Sequence, residues 1–317
     1  MGPVATTLIR IWQGMRPTNL LLLGLALPSF RYFLMLPVLE TRLLNFGLED
    51  RDFWIMVAGS LLLAGAGNLV NDYYDAASDR LNNKGRTALE EREFWPVYLG
   101  INTVGLVLCA WSAWQAGLIN LLLIPLAAVF FLFRYSEDWK SRGWLGPLVI
   151  SGLCGLWITL PWFYEYKAMG ILYRYYPSDS QALHLTWAVY LALVVAVTLA
   201  RELVKACQDL SGDLQVRCRT VAVQWGSTKT LVAVRLIWIL VLVLNLLALM
   251  VQWRAGAWPA ALYTGVTLGW GLFVALLLSG SKAPSRLVLI GNALKGYLTL
   301  GILSLGVYYL LFLYGNN

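Results

Sequence analysis

Carboxylates recur at intervals of one helical turn in the first acidic segment, residues 71–86. If the segment is helical, the polar residues that share a stripe about 100° wide are Asn71, Asp72, Asp75, Asp79, Asn82 and Arg86. Stacked carboxylates repel one another, more strongly where solvent is excluded, so a cation must compensate them. Mg²⁺ is the natural candidate, because it takes carboxylate and amide oxygens and keeps positions for water and phosphate.

Acids and bases alternate in the second acidic segment, residues 201–213. The same helical spacing places four residues on one stripe, namely Arg201, Lys205, Asp209 and Asp213. The acid pair can hold a metal ion while the bases direct positive charge at a phosphate on that ion. Alternatively, the four side chains only pair with one another as salt bridges between successive turns.

Membrane helices must position these two segments. The chain has 317 residues, of which 59% are hydrophobic and 13% charged, whereas soluble domains have about 45–50% apolar and about 25% charged residues. Apolar runs of about 20 residues, enough to cross a bilayer, follow one another. We predict an all-α polytopic membrane protein, with about nine transmembrane helices in one bundle and a single domain, residues 1–317. The predicted spans are 18–39, 53–72, 95–117, 118–134, 145–163, 183–206, 228–251, 257–280 and 287–313.

The distribution of Lys and Arg predicts the orientation of this bundle. Most of the 24 basic residues lie in the N-terminal tail and in alternate loops, and cytoplasmic loops are the ones enriched in Lys and Arg. We therefore expect the N-terminus and both acidic segments at the cytoplasmic face of a cell membrane, around one cavity. The net charge of +7 is explained by topology and by attraction to anionic lipid and phosphate, with no basic arm for nucleic acid. The four cysteines lack metal-ligand spacing.

The paired motifs Asn71-Asp72-x-x-Asp75-x-x-x-Asp79 and Asp209-x-x-x-Asp213 resemble those of the UbiA superfamily of intramembrane prenyltransferases. The resemblance extends over nearly the whole chain. Further similar elements are Arg16-Pro17-Thr18-Asn19, Asn82 with Arg86, Tyr135-Ser136 with Lys140, Arg201-Glu202-Leu203-Val204-Lys205, Gly212-Asp213, Thr220 and Trp225-Gly226. The elements from Arg201 onward are similar to the branch that includes digeranylgeranylglyceryl phosphate synthases and their bacterial relatives.

The resemblance implies a binding site for a prenyl diphosphate and Mg²⁺. It implies that two Mg²⁺ ions are held between the acidic segments by Asn71, Asp75, Asp79, Asp209 and Asp213. Departure of the diphosphate builds negative charge on it, so basic side chains should gather there. The phosphate contacts that we predict are Arg86, Lys140, Arg201 and Lys205. We expect the ring of Tyr135 to face the prenyl cation, and Asp72 either to take a proton from the acceptor or to join the metal shell.

The predicted function is Mg²⁺-dependent transfer of a prenyl group to a membrane-associated acceptor with release of diphosphate. The acceptor is a glycerol-phosphate-type lipid alcohol or an aromatic quinone precursor, because Pro147, Ala206 and Gln208 depart from the family pattern. A cation-coupled transporter is the rival from another class, and it predicts acids near the bilayer midplane on broken helices. A metal-dependent phosphoalcohol transferase is a third reading. Lys295, within the last span, faces the same cavity or extends to its rim.

Overall fold

The computed structural model describes residues 3–81, 89–280 and 283–315, and side chains within residues 7–310. In this part of the chain all named elements are helical, and one isolated parallel bridge joins Gly143 to Thr220. The α-helices are α1 (Pro3–Gly14), α2 (Pro17–Pro28), α3 (Leu36–Thr41), α4 (Asp50–Leu81), α5 (Glu91–Gln115), α6 (Leu123–Glu137), α7 (Leu145–Tyr164), α8 (Tyr166–Tyr175), α9 (Pro177–Gln208), α10 (Leu210–Gln215), α11 (Val221–Arg254), α12 (Trp258–Ser279) and α13 (Pro284–Gly315). A π-helical stretch, Ser29–Met35, and two short 3₁₀ turns, Ile119–Leu122 and Trp139–Ser141, complete the described elements.

Nine segments of the described chain are long and apolar enough to cross a bilayer. The first, Pro17–Thr41, combines α2, the π-helical stretch and α3. The predicted all-α membrane bundle is therefore confirmed. Helices α4 and α9 have 32 residues each, more than the about 20 that a crossing needs. The first acidic segment lies on the last turns of α4, and the second begins on the last turns of α9.

Helix α4 has the largest buried share of the nine spans. It packs mainly against α5 and α6, and small residues allow a close approach to α5. A Cβ atom at Gly59 would lie 2.8 Å from the carbonyl oxygen of Gly105, so a larger residue would push the helices apart. This close packing fixes the helix on which the first acidic segment lies.

Helix α9 is fixed by a core that it shares with α11, α12 and α13. Leu203 and Val204 are fully buried in this core, together with Trp238 of α11. Arg201 and Lys205 are four residues apart and therefore share one face of the helix. Because Leu203 and Val204 are buried in the core, this face points away from the core. The second acidic segment thus begins on a rigid helix with a defined orientation.

A buried ion pair holds the opposite end of the bundle. Arg31, in the π-helical stretch, lies 3.4 Å from the carboxylate of Glu165, which follows α7, and both side chains are at most 1% exposed. The Arg31 guanidinium also stacks over the rings of Phe46 and Phe53, 4.2 and 4.4 Å from their centroids. Burial raises the pKa of Glu165, while the Gly47 backbone N–H and Arg31 lower it in part. The pair fixes the irregular turn of the first span against the start of α8.

Replacing Glu165 with Ala should destabilise the protein strongly. The change leaves the Arg31 charge buried without its main partner, at a cost on the order of 3 kcal/mol. Asp179→Ala is the matched control, because it removes the partner of Arg42 from a partly exposed pair and should cost about 1 kcal/mol or less. Thermal unfolding of detergent-solubilised protein measures both, and equal shifts would contradict a special role for the buried pair.

Candidate active site

The C-terminal turns of α4 carry the first acidic segment as one unbroken helix to Leu81. The side chains that share its stripe are buried, at 5–8% exposure, and they are Asn71, Asp72, Asp75 and Asp79. The helical arrangement expected for these four residues is therefore present. Asn82 and Arg86 lie outside the described residues, so the phosphate contact expected for Arg86 stays a prediction.

The second acidic segment is not a single helix. Helix α9 ends at Gln208, Asp209 has φ −89° and ψ 0°, and α10 begins at Leu210. The hydrogen bond from the backbone N–H of Asp213 to the carbonyl of Asp209, 3.0 Å long, keeps one helical spacing across this break. Asp209 and Asp213 are 4% and 1% exposed. The prediction of a continuous helix through Asp209 was wrong, although both acids are buried beside α9.

The two acidic segments meet at Asp213. Ser78 of α4 donates to Oδ1 of Asp213 at 3.0 Å, and Thr220 donates to its Oδ2 at 3.3 Å. Burial raises the pKa of Asp213, which Lys140 and Ser78 lower in part. Since burial disfavours the ionised carboxyl, a cation at this position would stabilise it. The arrangement brings carboxylates from two distant parts of the chain to one place.

Basic side chains pair with the acids at this end of the bundle. Lys140 forms an ion pair with Asp75, and Arg16, immediately before α2, forms one with Asp72. Burial lowers the pKa of Lys140, but the nearby Asp75 outweighs it and the net direction is upward. Arg201 contacts Glu202 at 3.0 Å. The site is therefore a compensated network of charges rather than a row of repelling acids.

A short tether positions the loop that carries Lys140. The backbone N–H of Gly143 donates to the carbonyl of Arg219 at 2.9 Å, next to the bridge with Thr220. Gly143 has φ +59°, a left-handed conformation that glycine adopts without strain, and a Cβ there would lie 2.9 Å from Gln224. The tether joins the loops that follow α6 and α10.

Two cavities adjoin at this network. The larger, about 260 Å³, is lined mostly by apolar side chains between the helices, with Lys295 also on its wall. The smaller, about 20 Å³, lies beside Lys140, Asp209 and Asp213. Three side chains line both cavities and so mark the junction between them, and these are Tyr135, Glu202 and Lys205. A molecule with a charged head and an apolar chain matches this pair of cavities.

The oxygen atoms at the network suit a hard divalent cation. Asn71 donates its Nδ2 to Asp75 at 2.8 Å, while within the described chain its buried Oδ1 has no hydrogen-bond partner. A buried amide oxygen without a partner is costly, and a cation would satisfy it. Among the described residues no three acidic, His or Cys side chains converge as a ready-made metal site. The donor set therefore fits Mg²⁺ that shares its coordination with water and substrate oxygens.

The sequence predicted no role for Arg16 or Glu202, and both belong to the network of paired charges. Each had a detectable signal, because Glu202 is a carboxylate inside a membrane span and Arg16 is a base directly before one. Ionisable residues at such positions are usually functional. Lys295 faces the cavity, which was one of its two expected positions.

A comparison with protein families matches residues 43–292 to the UbiA prenyltransferase family. The chain is also 29% identical over 188 residues to a digeranylgeranylglyceryl phosphate synthase of Korarchaeum cryptofilum, covering 57% of this chain and 59% of that relative. The matched segment is thus less than two thirds of that relative's length.

Two solved structures share the fold. One concerns digeranylgeranylglyceryl phosphate synthase in membranes, with a TM-score of 0.61 at 16% identity, covering 96% of this chain and 99% of that one. The other is a UbiA homolog from Aeropyrum pernix K1 in its apo form, with a TM-score of 0.57 at 17% identity, covering 90% and 94%. Likeness at such identity concerns the fold alone. The family match spans most of the sequence, and the chain belongs to the UbiA prenyltransferase family.

Proposed function

We propose that this protein, as a single domain of residues 1–317, transfers a prenyl group from a prenyl diphosphate to a membrane-associated acceptor and releases diphosphate. The observation that carries the proposal is the meeting of the two acidic segments at Asp213 and Ser78, beside a largely apolar cavity. Family membership supports the reaction class. The junction of the polar and apolar cavities suits a donor with an anionic head and an isoprenoid tail.

The donor diphosphate would lie in the polar cavity with its tail in the apolar one. Transfer of each CH₂ group of the tail from water is worth about 0.8 kcal/mol, so the larger cavity can contribute much of the binding energy. Lys140 and Lys205 line the polar cavity, and Arg201 lines the apolar one beside them. Their charges attract the diphosphate and stabilise the negative charge that grows on it as the C–O bond breaks.

The acids would hold Mg²⁺ against the diphosphate. The ligands we propose are Asn71, Asp75, Asp79, Asp209 and Asp213, with Asp72 paired to Arg16 behind them. Bound Mg²⁺ supplies Lewis-acid stabilisation of the leaving diphosphate. In this proposal Lys140 keeps Asp75 compensated when the donor is absent.

Tyr135 would face the carbon that becomes positive. It is 6% exposed and lines both cavities, so its position matches the place where the head and tail of the donor join. The electron-rich face of an aromatic ring attracts a cation, and the attraction increases where water is excluded. The ring therefore stabilises positive charge on the prenyl carbon.

The acceptor that we propose is a glycerol-phosphate-type lipid alcohol. The name of the Korarchaeum cryptofilum relative and the Arg201–Lys205 motif support this choice over an aromatic quinone precursor. Arg16, Arg201 and Lys295 on the wall of the larger cavity offer positive charge to an acceptor phosphate.

The transporter alternative receives no support from the helix geometry. It predicts acids on broken helices near the bilayer midplane. Helix α4 instead continues through Asp79, and its acids lie in its last turns. The break at Asp209 follows the C-terminal end of the 32-residue helix α9 and does not lie in the middle of that span.

We also propose that the polar cavity faces the cytoplasm. Basic residues cluster at its end of the bundle, as the excess of Lys and Arg in cytoplasmic loops requires. Those at the tethered loops are Lys140, Arg142, Arg217 and Arg219.

Purified protein with labelled geranylgeranyl diphosphate and Mg²⁺ should prenylate a glycerol-phosphate lipid alcohol. The assay measures labelled product from a panel that contains the lipid alcohol, an aromatic quinone precursor and no acceptor, each with and without Mg²⁺. Because the diphosphate needs Mg²⁺ to leave, product should vanish on chelation and return with added Mg²⁺. Transfer to the aromatic compound alone would contradict the proposed acceptor, and Mg²⁺-independent transfer would contradict the proposed metal site.

Asp75→Asn and Asp213→Asn should each lower turnover at least about 100-fold, because each removes a negative ligand from the site where leaving-group charge is stabilised. Both variants should remain monodisperse in detergent, since Asn retains the size and hydrogen-bonding capacity of Asp. The control is Glu137→Gln, which neutralises a 36% exposed carboxylate paired with Arg134. Near-normal turnover in both Asp variants would overturn the site.

Lys140→Met should raise the KM for the donor at least about 10-fold and leave the acceptor KM unchanged. Methionine retains the apolar length of the side chain but loses the charge that contacts phosphate, and a charge-assisted hydrogen bond is worth about 1.5–3 kcal/mol. Lys167→Met, at an exposed position on α8, is the control. A similar rise in both constants would argue against a phosphate contact by Lys140.

A further inference from the structure

Transfer to an alcohol requires a group that accepts the hydroxyl proton. The sequence predicted Asp72 as a candidate for this group. Its carboxylate forms an ion pair with Arg16, and Asp72 lines neither of the two cavities found in the described part of the chain. For an acceptor in the larger cavity, a carboxylate that lines this cavity is therefore a better candidate than Asp72.

Glu202 lies at the junction of the two cavities. It is 8% exposed and lines both of them with Tyr135 and Lys205. In the proposed binding mode the donor head and tail join at this junction, so the carbon that is attacked lies here. Glu202 is the one carboxylate of the described chain that lines both cavities, and it is not among the proposed Mg²⁺ ligands.

The carboxylate of Glu202 is oriented by one salt bridge. Arg201 donates to its Oε1 at 3.0 Å in a salt bridge. Within the described chain no other hydrogen bond to this carboxylate is present, which leaves Oε2 for a substrate hydroxyl. The positive charges of Lys205, Lys140 and Arg16 also attract this carboxylate. An oriented anion at the reacting carbon is what a general base requires.

We infer that Glu202 accepts the proton of the acceptor hydroxyl, an inference that rests on the proposed function. The acceptor oxygen forms a bond to the prenyl carbon, and the bond from that carbon to the diphosphate breaks. The electron pair of the broken bond leaves with the diphosphate, and the acceptor proton moves to Oε2 of Glu202. No oxidant or further reactant is needed, and the ether product and diphosphate balance the reaction.

Glu202→Gln tests the inference with two acceptors, the lipid alcohol and its thiol analogue. Gln keeps the hydrogen bond from Arg201 but accepts no proton, and general bases contribute about 10²–10⁴-fold. We expect kcat for the alcohol to fall at least about 100-fold. A thiol is far more acidic than an alcohol, with a pKa of about 8.5 for the thiol of free cysteine. It therefore depends less on a base, and transfer to the thiol analogue at pH 8.5 should fall less than about 5-fold. The donor KM should be unchanged.

Asp52→Asn is the matched control. Asp52 is also buried and also contacts the Arg that precedes it, at 3.3 Å, but it lies at the other end of α4. We expect its kcat for both acceptors to stay within about 2-fold of the unmodified protein. Glu202→Asp is a second variant that keeps a carboxylate, and it should retain more alcohol transfer than Glu202→Gln.

The outcomes separate the inference from the proposed function. Equal losses with alcohol and thiol in Glu202→Gln, or a near-normal alcohol rate, would overturn the inference and leave the proposed function intact. An alcohol-selective loss in Asp72→Asn and not in Glu202→Gln would also overturn it. Unmodified protein that prenylates neither the alcohol nor the thiol would overturn the proposed acceptor and the inference together.

Discussion

Compensation of charge inside the bundle is the constraint on which this protein depends. Ionisable groups are costly within a membrane-spanning structure, and here acids of α4 are paired with bases that follow or precede other helices. Asp72 pairs with Arg16, and Asp75 pairs with Lys140. The same contacts therefore join the helix ends and assemble the candidate active site, so its stability and its chemistry rest on one network.

The bundle was predictable from the sequence because lipid leaves few alternatives. Backbone groups in a bilayer must be satisfied within helices, so each apolar run indicates a span. The arrangement of acids on α4 followed from helical periodicity, since that helix is unbroken to Leu81. The same arithmetic was wrong at Asp209, where the chain leaves α9 and starts α10. Neither residue beside Asp209 is a Gly or Pro that would signal the break.

Pairings between distant residues were beyond the reach of the sequence. Arg16 and Asp72 are 56 positions apart, and periodicity within one helix carries no information on which helix lies beside it. Glu202 is one position from Arg201, and its residue type was evident, yet its place between two cavities depends on the packing of α6, α7 and α9. Charge inside a span was the available signal, and it indicates importance without indicating a partner.

The tether between Gly143 and Thr220 has a mechanical consequence. It joins the loop that carries Lys140 to the loop that follows Asp213, and Thr220 also donates to Asp213. The two walls of the polar cavity are therefore linked by direct hydrogen bonds. A displacement of one of these walls would therefore be transmitted to the other through the hydrogen bond between Gly143 and Arg219.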